Sequence, residues 1–184
     1  MSKITDNLTA AITKAMEEIK KGLQKELQQQ GHRLTGALEN SLQYEVRTEG
    51  NQVIAVMTAN DYGVYVEFGV PASRIPYGGK RRGSGGGGKS KYIQGLVRFF
   101  ELRGVHGREA LSAAFATARK HKREGMPTRS SYAFSENGRR TGFVRATLDR
   151  YLPQITDIVE REAGFVVDLV IAETIRLEPY KIAV

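Results

Sequence analysis

No cysteine occurs among the 184 residues. Disulfides and thiolate metal sites are therefore excluded, and the redox compartment is left open. Long apolar runs are missing too. The longest candidate, residues 164–172, carries Asp168 and falls far short of the ~20 residues a membrane-spanning helix needs. The N-terminal stretch MSKITDNLTAAITKAMEEIKK lacks the continuous apolar core of a signal peptide. The sequence thus reads as a protein made in the cytoplasm, and staying there unless something assembles it elsewhere. Histidines are few. His32, His106 and His121 show no metal-ligand spacing and read as surface or helix-end residues. Serines sit in no G-x-S-x-G elbow, and Glu160 and Glu162 belong to a solvated helix face rather than a catalytic pair. The expectation is a protein without cofactor or enzymatic chemistry.

Acid is absent from residues 68–100, although the chain as a whole has 20 acids against 28 Lys and Arg, a net charge of +8. That stretch carries Arg74, Lys80, Arg81, Arg82, Lys89, Lys91 and Arg98, and more cations follow at Arg119, Lys120, Lys122, Arg123, Arg139 and Arg140. Such a run suits contact with nucleic acid or with an acidic protein surface. It equally suits a solvated loop whose charge keeps it soluble.

What is present has clear periodicity. Ile4, Leu8, Ile12, Met16, Ile19, Leu23 and Leu27 form one stripe on a long helix, with Lys25 and Glu26 among the polar residues of its other faces and Gly31 as its stop. The stripe is too narrow to be a whole core and must lie on a sheet or a partner subunit. Leu42, Tyr44 and Val46 alternate with polar neighbours, residues 49–52 read as a turn, and residues 53–57 (VIAVM) make a second strand, so residues 41–58 predict a β-hairpin. Residues 62–68 (YGVYVEF) are a further short apolar, aromatic segment. Two helices are expected over residues 92–102 and 108–123. A last stripe runs through Ile155, Ile158, Val159, Val166, Val167, Val170 and Ile171, with Pro153 in its first turn. The order predicts an α+β fold: long N-terminal and C-terminal helices packed on a small antiparallel sheet.

Residues 83–90, GSGGGGKS, match the phosphate-binding loop pattern G-x-x-x-x-G-K-[ST] letter for letter. A working loop of this kind follows a buried parallel strand and opens a helix. Ser90 suits the helix start. The preceding RIPYGGKRR, with a proline, two glycines and three further cations beyond its first arginine, does not suit a central strand. Seven glycines fall between Pro71 and Lys91, so the match is largely composition, and residues 77–91 read as a flexible basic loop. A nucleotide hydrolase remains the remotest of the functional readings.

Two stretches carry a resemblance. LTGALENSL at residues 34–42, then a hairpin, then YGVYVEFG at residues 62–69, resembles the signature of the head–tail joining proteins of long-tailed double-stranded DNA phages, also called neck, minor tail or tail-completion proteins. That family reads as a long helix, T-G-x-L-x-x-S, a hairpin, Y-x-x-Y-V-E-F-G-T, a proline turn, an F-L-R-P-A-L-like stretch and a C-terminal helix. Met126-Pro127, FVRATL at residues 143–148 and the helix after Pro153 complete the order. The resemblance implies a fold-making role for Thr35, Gly36, Ser41, Tyr65, Glu67, Phe68, Gly69, Phe143 and Arg145. Thr35 is expected to cap the turn into the hairpin, Gly36 and Ala37 to allow close packing, Tyr65 and Phe68 to bury aromatic area, and Gly69 to permit a sharp exit. Glu67 either pairs with a neighbouring backbone or subunit or is an ordinary exposed acid.

One departure is large. In the family the E-F-G and F-L-R stretches lie close together; here residues 71–125 intervene, which looks like an insertion in a single domain spanning residues 1–184. The resemblance further implies a structural virion protein, assembled as a ring, usually hexameric, at the head–tail junction. Its partners would be further copies and adjacent neck, connector or tail-tube proteins, with genomic DNA passing through the channel and no membrane. Arg74, Lys80, Arg81, Arg82, Lys89 and Lys91 are the candidate contacts to such a partner or to DNA. The alternative is a stand-alone nucleic-acid-binding protein using the basic middle third, although no reading helix, zinc module or aromatic strand face is recognisable.

Overall fold

The structure is a computed structural model, and it describes residues 3–50, 52–78 and 90–163. The elements run α1 (Lys3–Gln29), α2 (Ala37–Ser41), β1 (Gln43–Glu49), β2 (Gln52–Thr58), α3 (Tyr62–Phe68), α4 (Lys91–Glu101), α5 (Gly107–Glu124) and α6 (Phe143–Ala163), with 310 turns at Ala72–Arg74 and Arg129–Phe134. The α+β expectation holds.

The stripe on α1 finds its cover within the chain. Leu23 and Leu27 join Leu38, Leu42, Val66 and Phe143 in one buried cluster, with Met57 of β2 against it. Nearer the start of α1, Ala15 packs with Ile155 and Val159 of α6. The C-terminal end of α1 therefore meets the start of α6, and the two helices run antiparallel. Gly22 faces α6. A Cβ there would lie 2.8 Å from the Tyr151 ring and 2.9 Å from the Thr147 methyl, so a side chain would force the helices apart. Burying each leucine of this core is worth about 2 kcal/mol.

The end of α1 is a Schellman motif. His32 N–H donates to Leu27 O and Gly31 N–H to Gln28 O, each at 2.9 Å. The hairpin that follows is antiparallel with Tyr44 opposite Met57 and Val46 opposite Ala55. Those residues are the half-buried face, while Gln43, Glu45 and Arg47 are exposed, as period two predicts.

Several expectations need correction. Thr35 is not the N-cap of α2; that position is Gly36, at φ 64. The Thr35 hydroxyl instead accepts from Ala37 N–H at 3.3 Å, one residue early. Ala37 is exposed and makes no close packing. Glu26, on the helix face expected to be polar and solvated, is 1% exposed. Pro153 does not open the last helix: α6 begins ten residues earlier, absorbs the FVRATL stretch, and carries Pro153 inside on an exposed face. Its missing N–H leaves one carbonyl of the preceding turn to solvent, which that position tolerates. The stripe residues Val166, Val167, Val170 and Ile171 lie outside the described residues.

Residues 71–125 hold their own small cluster. Ile93, Ala114 and Ala118 are buried between α4 and α5, with Tyr77, Leu96 and Phe115 around them. Ser90 caps α4, accepting from Ile93 N–H at 3.3 Å. Where this stretch begins and ends, Val70 and Met126 form an isolated antiparallel bridge, with N–H to O distances of 2.7 and 2.8 Å in the two directions.

Candidate interaction surface

Glu67 sits where α3 meets α6. Its side chain is buried, and it closes the start of α6: Oε2 accepts from Val144 N–H at 2.8 Å and Oε1 from Arg145 N–H at 3.4 Å. Its own carbonyl accepts from Gly142 N–H at 2.8 Å. A carboxylate at a helix N-terminus satisfies orphan donors and complements the helix dipole. Of the open possibilities for Glu67, the backbone partner is the one observed. Phe143, beside it, is buried in the core, whereas Arg145 points outward, its side chain 81% exposed and 4.0 Å from Asp149. Ser41 ties the preceding segments together: its hydroxyl donates to Leu38 O at 2.8 Å and accepts from Asn60 N–H at 2.9 Å.

With Val66, Glu67 and Gly63 turned inward, the opposite face of α3 is left to solvent. Its residues are Tyr62, Tyr65 and Phe68, exposed by 55, 42 and 59%. The expected aromatic burial at Tyr65 and Phe68 is thus overturned. In a seven-residue helix the apolar spacing i, i+3, i+6 marks the outer face, because the inner face is filled by a glycine, a valine and the capping carboxylate. Gly69 is placed as expected. It turns the chain at φ 71, with Met126 O so close that a Cβ would lie 2.5 Å from it.

The C-terminal end of α1 is clasped by the segment before α6. Gln29 O accepts from Glu136 N–H at 2.7 Å, and Gln30 O from Arg140 Nη1. Beneath them Glu26 Oε1 accepts from Gln30 Nε2 at 3.0 Å and Asn137 Nδ2 at 2.8 Å, and Arg150 stands 3.5 Å from Oε2. No periodicity reveals this cluster, because Asn137, which joins Glu26 in it, lies 111 residues away in the chain.

The histidines all lie at helix ends, as expected: His32 after α1, His106 at the N-cap of α5 and His121 in its last turn. His32 Nε2 is 3.3 Å from Arg140 O. Burial, and the Arg140 charge after it, push its pKa down to about 4 from the usual 6.5. Between these values the unfolded chain takes up a proton that the folded chain refuses. Stability is therefore fully present above pH ~6.5 and declines as pH falls through about 4. His121 is shifted downward as well, by burial first, and adds with the same sign. Urea midpoints taken from pH 7.5 to 4 should fall, and His32→Gln should flatten part of that fall. Equal slopes in both proteins would rule out His32 as a source.

Of the six candidate contact cations, Arg74 ends a 310 turn and Lys91 begins α4, both exposed. Lys80, Arg81, Arg82 and Lys89 lie outside the described residues, as does most of the GSGGGGKS match. Ahead of it, the described residues 72–78 are a 310 turn followed by irregular backbone; the residues that directly enter the match lie outside the described residues. Among the described residues no group of three or more His, Asp or Glu is placed to hold a metal, and no helix is long and apolar enough to cross a membrane.

Residues 1–69 match the family model described as Bacteriophage HK97-gp10, putative tail-component. The matched stretch covers α1, α2, the hairpin and α3, ending at the Gly69 turn. Over that stretch the chain is similar to this phage tail-component family, in agreement with the resemblance carried by LTGALENSL and YGVYVEFG. No curated protein and no solved structure gives a significant match.

Proposed function

We propose that the protein is a structural component of a tailed-phage virion, made in the bacterial cytoplasm and assembled as a homo-oligomeric, hexameric ring at the head–tail junction. There it completes the tail or neck, meets adjacent neck or tail-tube proteins and keeps a channel for the genome. The observation that carries this reading is the solvent face of α3. Three aromatic side chains exposed on a single seven-residue helix form a patch of the kind that marks an association surface. The tail-component match, which ends at that helix, supports the same conclusion. Residues 71–125 are an insertion in one domain, pinched at its base by the Val70–Met126 bridge. Residues 77–91, which carry five of the six candidate contact cations, meet a neighbouring ring.

Light scattering on the full chain should give a mass near six copies. Tyr65→Glu with Phe68→Glu should melt like the parent yet shift to monomers at a concentration where the parent is assembled. Trimming residues 78–89 should leave a folded protein that no longer joins heads to tails. A parent that stays monomeric at all concentrations, or a trimmed protein giving full infectious yield, would remove the respective claim.

A further inference from the structure

Between the 310 turn at Arg129–Phe134 and the first turns of α6 lies an open cleft of about 430 Å³. Arg139, Arg140 and Arg145 line it, together with Tyr132, Thr141 and a single carboxylate, Asp149. We propose that this cleft is a contact site for the phosphate backbone of nucleic acid, with Arg139 and Arg145 as the gripping cations and Arg140 as a fixed charge behind them.

The charge arrangement points to an anion. Neither Arg139 nor Arg140 has a carboxylate within ion-pair distance among the described residues; Arg145 has only the long, exposed contact to Asp149. The Arg139 side chain is exposed. Arg140 is anchored through Nη1 to Gln30 O, and its Nε is buried without a hydrogen-bond partner. A further cation stands close by, since Arg103 stacks on Phe99 at 4.3 Å from the ring centroid and faces Phe134 at 5.9 Å. The Arg140 guanidinium has a lowered pKa, through burial first; Tyr62 opposes this and the Arg103 charge adds to it. Gathering guanidiniums with little compensating acid costs electrostatic energy in the free protein, and a bound polyanion recovers it. The helix dipole is not the source of this potential, because Glu67 already occupies the α6 terminus.

Two features favour nucleic acid over an acidic protein segment. Tyr132 and Phe134 stand exposed by 41 and 66% beside the arginines, and aromatic faces interleaved with guanidiniums suit bases and backbone together. The planar fork of arginine also matches phosphate oxygens in pairs. The cleft is open along its length, which suits a chain passing along it better than an enclosed small molecule.

This inference rests on the genome-passage reading, and the test separates the two. Binding of the full chain to a mixed-sequence duplex DNA is measured by fluorescence anisotropy across a salt series, with assembly state followed by light scattering. Arg139→Gln with Arg145→Gln should weaken binding about tenfold at moderate salt. It should also reduce the salt slope by about 1.8, the loss of two phosphate contacts. Asp149→Asn should tighten binding severalfold. Melting of these variants should be unchanged, as both arginines are exposed. Unchanged affinity and slope in the double variant would overturn the cleft, as would absence of DNA binding by the parent. Preferential, arginine-dependent binding of polyglutamate over DNA would assign the cleft to an acidic protein and overturn it too. Intact ring assembly alongside any of these failures would count against the cleft alone. DNA binding through the cleft by a protein that never assembles would count against the ring alone.

Discussion

Glu67→Ala is expected to destabilise the protein by about 3 kcal/mol. Losing a helix N-cap costs about 1–2 kcal/mol, and leaving a partly buried N–H without an acceptor adds about 1–3 kcal/mol, less whatever water entering the gap recovers. The carboxylate bridges α3 to the Val144 and Arg145 amides, so its removal loosens the helix start and the α3 contact together. For a chain of this size the melting temperature should drop by roughly 6–12 °C. Glu67→Gln keeps one acceptor oxygen and should fall between alanine and the parent. Arg145→Ala, altering an exposed side chain on the same turn, should stay within about 0.5 kcal/mol of the parent. Urea titrations at unchanged slope supply the values. A Glu67→Ala protein as stable as the parent would mean that the carboxylate contributes nothing as a cap.

Glu67 also marks where reading the chain by pattern stops. α1 is legible because its stripe repeats over 27 residues and ends at a glycine that adopts the required positive φ. The hairpin is legible because both strands alternate and their register follows from a short turn. In α3 the same logic fails. Seven residues are too few for a period to distinguish inside from outside, and the aromatic side chains that would normally define the core face are on the other side. Glu26 and Glu67 are both acids within helices, and acids in helices are usually solvated. Each is buried by a partner more than 70 residues away, on the segment that precedes or opens α6. Charge patterning does find the arginines at positions 139 and 140. That they share a cleft with Arg145 and Tyr132 depends on α6 starting at Phe143 rather than near Pro153, and the FVRATL stretch does not announce this.

Gly69→Ala and Gly125→Ala should each cost about 3 kcal/mol, and their combination should cost clearly less than the sum. Both glycines occupy a backbone region essentially closed to other residues, φ 71 with ψ −174 and φ 82 with ψ −169. Holding alanine there costs on the order of 1–3 kcal/mol, and contact adds to it. A Cβ on Gly69 would stand 2.5 Å from Met126 O, and one on Gly125 would stand 2.6 Å from Val70 O. Neither backbone oxygen can move away, because each accepts one of the two hydrogen bonds of the Val70–Met126 bridge. Either substitution is therefore relieved by the same event, opening of that bridge. Once it has opened, the second alanine has little left to break, so a double-mutant cycle should show a coupling of about 1–2 kcal/mol. The damage should also be local. Amide exchange at Val70 and Met126 should accelerate strongly, while amides of α1 and α6, buried against Leu27 and Val159, should follow only the smaller global change. Strict additivity with uniform acceleration across α1 and α6 would show that the two glycines act separately and that the bridge is not the joint at which residues 71–125 leave and rejoin the helical core.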